Sequence, residues 1–146
     1  MTEHSMEQAI PPNGDESELW MIVAVIRPFK LDAVTMALEN VTGFAGMTVT
    51  TCRGFGRGKP GVADAHANPA ARRRETDSGL TTFSERLKLE VAVAGRRNSR
   101  LIADTIVQAA HTGNRGDGKV FVWPFAHAIR IRTAETDSAA IGGRDE

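Results

Sequence analysis

Apolar residues in this chain recur with a period of two, then near 3.6, then two and two again, then 3.6 and two. That succession limits the folds open to it more than any other feature. The run WMIVAVIRPF at 20–29 is short, β-branched and closed by a proline, which predicts a buried strand. KLDAVTMALENV follows, with Leu31, Val34, Leu38 and Val41 on one helical stripe and Gly43 as a stop. MTVTTCRGFG at 47–56 predicts a second strand. LKLEVAVAG at 87–95 alternates, with Leu87, Leu89, Val91 and Val93 on one face and Lys88 and Glu90 on the other. RRNSRLIADTIVQAAHTG at 96–113 offers Asn98 or Ser99 as N-cap, an apolar face of Leu101, Ile102, Ile106 and Ala109, and Gly113 as a stop. KVFVWPF at 119–125 and HAIRIRT at 127–133 predict a last strand pair or one bent strand, with Pro124 breaking the ladder.

The order β-α-β-β-α-β is the split βαβ, or ferredoxin-like, pattern. It predicts an α/β (α+β) fold, a four-stranded antiparallel sheet covered on one face by two helices, over residues 20–141. Residues 1–19 are acidic, contain Pro11, Pro12, Asn13 and Gly14, and read as a disordered or loosely docked tail; 142–146 form a short C-terminal tail. Residues 57–83 hold almost nothing large and apolar, and a loop of that length in a small domain is usually functional or disordered.

Bulk properties exclude several classes. Eighteen basic residues balance eighteen acidic ones, so no global field recruits nucleic acid or an anionic membrane. No apolar run approaches the roughly 20 residues of a membrane span, and the polar start lacks the pattern of a signal peptide. One cysteine, Cys52, excludes an intramolecular disulfide framework and fits a reducing compartment. A cytoplasmic protein is the expectation. His66, His111 and His127 have no metal-ligand spacing, so no metal site is predicted. Cys52 and Trp123 read as strand packing, and Trp20 as a cover for the sheet edge.

The stretch HTGNRGDGKVFV at 111–122 contains G-x-x-x-x-G-K, the start of a P-loop. A P-loop follows a strand and opens a helix; here a helix enters and a strand leaves. Val120 also stands where the Mg²⁺-binding Ser or Thr belongs. The P-loop NTPase reading is therefore rejected. Gly113, Gly116 and Gly118 permit positive φ and close backbone approach, and successive amides in such a turn can make an anion-binding nest with Lys119 at its exit. A helix C-cap followed by a tight turn accounts for the glycines equally well. Two further elements favour an anion: Arg130 and Arg132, two apart with Ile129 and Ile131 turned to the core, and RGFGRGK, where Gly54, Gly56 and Gly58 surround Phe55 with Arg57 and Lys59 behind. Together they point to a small polyanionic ligand. RGFG also opens an RNA-binding signature, but no aromatic residues continue it and the third strand has none to stack a base, so RNA is not the expected ligand.

MIVAVIRPFKLDAV, GMTVTTCRGFGRGK, RLKLEV, TGNRGDGKVFV and AIRIRTAE, in this order from Met21 to Ile141, resemble the PII signal-transduction family of nitrogen regulators. The resemblance implies a non-enzymatic homotrimer with ATP or ADP, and AMP as a further candidate, in the clefts between subunits; it does not decide Mg²⁺ with ATP. Gly116, Asp117, Gly118 and Lys119 would line phosphate and ribose, with Thr112 at the loop's start. Gly54, Phe55, Gly56, Arg57 and Gly58 would come from the edge of the second strand. Thr48 and Glu90 would lie near adenine, with Val25 and Ala92 on its apolar flank. Arg130 and Arg132 would reach phosphates from the neighbouring subunit. The long 57–83 segment would correspond to the family's T-loop, which docks on a target membrane transporter or metabolic enzyme; Lys59, Arg72, Arg73 and Arg74 are its candidate contacts.

The chain departs from the family in that loop. It has no tyrosine, so the family's uridylylation is not expected, and neither Ser78 nor Ser84 marks a phosphorylation site. Gly58 stands where members carry a glutamine that helps hold Mg²⁺ and 2-oxoglutarate, and Arg86 replaces the lysine that meets the effector's carboxylate. These changes argue against 2-oxoglutarate sensing. The alternatives are a sensor of bicarbonate or of adenine nucleotides alone, or a slow ATPase using the same cleft.

Overall fold

A computed structural model describes residues 16–56 and 82–142. Strand β1 (Leu19–Ile26) leads through a 3-10 turn (Pro28–Lys30) into helix α1 (Leu31–Glu39). Pro28 suits that turn because its fixed φ is already helical and its missing N–H has no partner to lose. Strand β2 (Thr48–Gly54), strand β3 (Ser84–Ala94), helix α2 (Arg96–Ala110), strand β4 (Gly118–Phe125) and a short helix α3 (Ser138–Ile141) follow. The sheet order is β2-β3-β1-β4, and every pairing is antiparallel. This is the arrangement the alternating periods predict.

One core holds the two layers together. Ile22, Ala24 and Ile26 from β1 and Leu89, Val91 and Val93 from β3 point to the same face. Val34 and Leu38 from α1 and Ile102, Ile106 and Ala110 from α2 close over them. Burying each of the larger side chains stabilises the fold by about 1.5–3 kcal/mol. The short helix α3 packs against β3, and the opposite face of the sheet is covered by neither α1 nor α2. Its residues alternate with the core set: Met21, Val23 and Val25 on β1, Arg86, Lys88, Glu90 and Ala92 on β3, Thr48 and Thr50 on β2, and Lys119, Phe121 and Trp123 on β4.

Several local expectations are corrected. Helix α2 begins at Arg96 with Gly95 as N-cap, so neither Asn98 nor Ser99 caps it. Both lie inside the first turn. The Asn98 amide donates to the Ala94 carbonyl and the Ser99 hydroxyl to that of Arg96. With its hydroxyl satisfied, Ser99 is buried and takes the place on the core face expected for Leu101, which is exposed. Helix α1 stops at Glu39, before Gly43, which sits at φ +94° in the following turn. Pro124 does not break the ladder. It lies within β4 opposite Trp20, where an edge strand tolerates the missing donor. HAIRIRT is not a strand: Ile129 makes an isolated bridge to Thr136 around a tight turn. Consequently Ile129 and Ile131 do not supply a core side within the protomer; Ile131 is 100% exposed.

Candidate functional site

The glycine loop between α2 and β4 is organised by one carboxylate. Asp117 Oδ2 accepts the Thr112 amide at 2.8 Å and the Gly113 amide at 2.9 Å. Asp117 Oδ1 accepts the Thr112 hydroxyl and, at 3.1 Å, Arg27 Nε. The Thr112 hydroxyl oxygen in turn accepts the Asn114 amide at 3.1 Å. Partial burial works to raise the pKa of Asp117, but hydrogen bonds from the Thr112 hydroxyl and amide, from Arg27 and from the Gly113 amide outweigh it and hold the carboxyl well below its usual range. The group is therefore a fixed anion that folds the loop around itself.

Arg27 joins the loop to the end of β1. Besides Asp117, its Nη2 donates to the Arg115 carbonyl. A Cβ placed on Gly116, whose φ is +93°, would lie 2.8 Å from Arg86 Nη2 and 3.1 Å from Arg27 Nη2. Two guanidinium groups, one from just past β1 and one from β3, thus converge on the backbone of Gly116. At Gly118, φ is +103° and a Cβ would overlap the Val25 carbonyl oxygen, because β4 starts in close contact with β1. The sequence predicted both demands on these glycines; it gave no sign of Arg27, whose partner is 90 residues away.

Register places the remaining predicted residues. Lys119 lies beside Val25, which lies beside Lys88, which lies beside Thr50, in one row across the face turned away from α1 and α2. The next row is Phe121, Val23, Glu90 and Thr48. Ala92 follows opposite Met21. Val25, Thr48, Arg86, Glu90, Ala92 and Lys119 therefore share a face, and Lys88 Nζ meets Glu90 Oε1 at 3.3 Å. An open cavity of ≈ 200 Å³ between α2 and the start of β4 is lined by Val25, Asp117, Gly118 and Lys119 among others.

Gly54 ends β2, and Phe55 just beyond it packs edge-on against Phe83, with ring centres 4.9 Å apart. Gly56 follows. Arg57, Gly58, Lys59, Arg72, Arg73 and Arg74 lie outside the described residues. Within one protomer Arg130 is held in the C-terminal turn: Nη1 reaches Glu135 at 3.4 Å and Nη2 donates to the Ala140 carbonyl at 3.0 Å. Arg132 is exposed in the same turn. The turn is pinned by Asp137, whose carboxyl is held below its ordinary value by the Ala128 amide and by His127, 2.6 Å away. Among the described residues no group of three or more His, Cys, Asp or Glu could hold a metal ion, and no helix is long and apolar enough to cross a membrane.

The family model described as "Nitrogen regulatory protein P-II" matches residues 19–135. The chain is 42% identical over 121 residues to nitrogen regulatory protein P-II of Rhizobium etli, covering 83% of this chain and 98% of that protein. It is also 42% identical over 120 residues to nitrogen regulatory protein P-II 1 of Escherichia coli K12, covering 82% and 97%. Among solved structures it resembles Arabidopsis thaliana PII bound to citrate, with a TM-score of 0.62, 29% identity and coverage of 85% and 92%. The ATP complex of Bacillus subtilis GlnK has the same fold, with a TM-score of 0.65, 23% identity and coverage of 85% and 98%.

Proposed function

The chain belongs to the nitrogen regulatory protein P-II family, whose members are signalling proteins and not enzymes, and on that premise we propose that it is a cytoplasmic homotrimeric sensor of adenine nucleotides. ATP or ADP binds in the clefts between subunits. Its phosphates rest on the 112–119 loop and Lys119, and its base lies over the face that carries Thr48, Glu90, Val25 and Ala92. Arg130 and Arg132 of a neighbouring subunit complete the phosphate site. The observation that carries this reading is the loop itself. Asp117 ties its ends together from within, Gly116 brings the backbone against two guanidinium groups, and Lys119 stands at its exit. The Thr112, Gly113 and Asn114 amides are taken up within the loop, so what such a site offers an anion is its cations, Arg27, Arg86 and Lys119, and charge-assisted contacts of this kind need only donors.

The bound nucleotide controls a target transporter or enzyme through the connection between β2 and β3. Arg86 presents a fork where a point charge would suit a single carboxylate, and Gly58 has no side chain to hold a metal-bound effector. The sensor therefore responds to adenine nucleotides without 2-oxoglutarate.

Isothermal titration with ATP and with ADP, run beside a phosphate-release assay, tests the reading. Binding of both nucleotides without sustained release supports a sensor. Sustained release abolished by Lys119→Ala would make the cleft an ATPase site. In the same titrations 2-oxoglutarate should leave the affinity for Mg²⁺-ATP unchanged; a large synergy would refute the loss of that effector.

A further inference from the structure

A second cavity, of ≈ 230 Å³, lies on the helix side of the sheet, where the first turns of α2 pass over Trp20 and Val122. Its charge is unbalanced. Arg96 and Arg100, one turn apart, line it beside a single acid, Asp104. No ion pair engages Arg96 or Arg100 among the described residues. Arg96 is stacked over the Trp20 ring, 5.9 Å from its centre. Beneath it, the Trp20 Nε1–H is shut off from solvent without an acceptor among the described residues, the one buried side-chain polar atom there that lacks a partner.

The chain carries a segment of matching chemistry at the mouth of this cavity. The Gly95 amide donates to the Glu18 carbonyl at 2.8 Å, which fastens the start of β1 to the start of α2. Whatever precedes Glu18 therefore leaves the fold beside Arg96. Residues 1–18 contain Glu3, Glu7, Asp15, Glu16 and Glu18 and no lysine or arginine. The family match begins only at residue 19, so this segment is additional to the matched domain.

We propose that the acidic N-terminal segment, residues 1–15, docks into the groove formed by Arg96, Arg100 and Trp20 of its own chain. Its carboxylates pair with the two guanidinium groups. A peptide suits the groove better than a compact inorganic anion, because Val122 and Trp20 supply apolar wall that Met6 and Ile10 can cover. The attraction between exposed charges is screened by salt, so docking is strongest at low ionic strength. This inference does not depend on nucleotide binding, and its failure would leave the proposed function standing.

Nuclear magnetic resonance on the ¹⁵N-labelled full chain tests it, since the protein has only two indole N–H signals, Trp20 and Trp123. A nitroxide is attached at Ser5→Cys in a Cys52→Ser background. The Trp20 indole signal should broaden at low salt. It should recover in the Arg96→Gln/Arg100→Gln variant at the same salt, while a well-dispersed Trp123 signal shows that the variant is folded. Absence of broadening, which would leave the groove to an outside partner, overturns the proposal. So does broadening that survives the double substitution, or broadening that appears only between a spin-labelled copy and a separate ¹⁵N-labelled copy.

Discussion

A methyl group at position 118 has no room. It would overlap the Val25 carbonyl oxygen, and at φ +103° it would be strained even in open space. Gly118→Ala should therefore destabilise the fold by on the order of 3 kcal/mol, strain and overlap together. Gly54→Ala should change stability by less than about 0.5 kcal/mol, because a Cβ there meets nothing within 4 Å. Urea unfolding at one fixed protein concentration compares the two; equal midpoints would show that β4 shifts away from β1 at no cost. Asp117 makes a second prediction at this scale. Its folded-state pKa is depressed, so its ionised form stabilises the protein above the unfolded carboxylate value of ~3.9, and that contribution is lost as pH falls from there toward the depressed value. Asp117→Asn should be the less stable protein at pH 7, and the gap should close progressively below pH ~4. A gap independent of pH would mean that its charge contributes nothing and that hydrogen bonding alone folds the loop.

Elements in this chain are joined by contacts of very different sequence range, and that decides how much could be read in advance. Strand and helix positions follow from local periodicity, so the β-α-β-β-α-β order and the alternating face of β3 were legible. So were Gly116 and Gly118, because the need for positive φ is local. The error over Leu101 and Ser99 has a simple cause: a serine that donates to a carbonyl three residues back behaves as a small core residue, which hydropathy does not register. The strand expected at 127–133 failed because alternation over a few residues also fits a tight turn, and here Arg130 is bound to Glu135 and Ala140. Arg27 was invisible since its value comes from pairing the end of β1 with a loop far along the chain. That pairing can be measured. Arg27→Met should keep the fold and loosen the loop, and under the proposed function it should weaken ATP by roughly tenfold, the scale of a lost charge-assisted hydrogen bond of about 1.5 kcal/mol. Arg27→Lys should recover part of the affinity, because an ammonium can reach Asp117 or the Arg115 carbonyl but cannot reproduce the fork. Unchanged ATP affinity in Arg27→Met would remove the β1–loop clasp from the binding site.

The protomer as a whole leaves one sheet face uncovered by α1 and α2, and on β1 and β4 that face is largely apolar. Phe121 is 51% exposed and Trp123 43%, and they share the face with Met21, Val23, Val25 and Ala92. A contiguous patch of this kind marks an interface. The same face carries part of the proposed nucleotide site, and under the proposed function Arg130 and Arg132 complete that site in a neighbouring subunit. Assembly and nucleotide binding should then fail together. Phe121→Asp combined with Trp123→Asp places two like charges on the patch and leaves the helix-side core untouched, so the circular dichroism spectrum should stay close to that of the parent protein. Sedimentation equilibrium should show a trimer for the parent and a monomer for the variant, and titration should show ATP binding only for the trimer. A variant that remains a trimer would place the subunit contact on another surface. A monomer that binds ATP with full affinity would show that one chain holds a complete site, and Arg130 and Arg132 would then have no role across a subunit boundary.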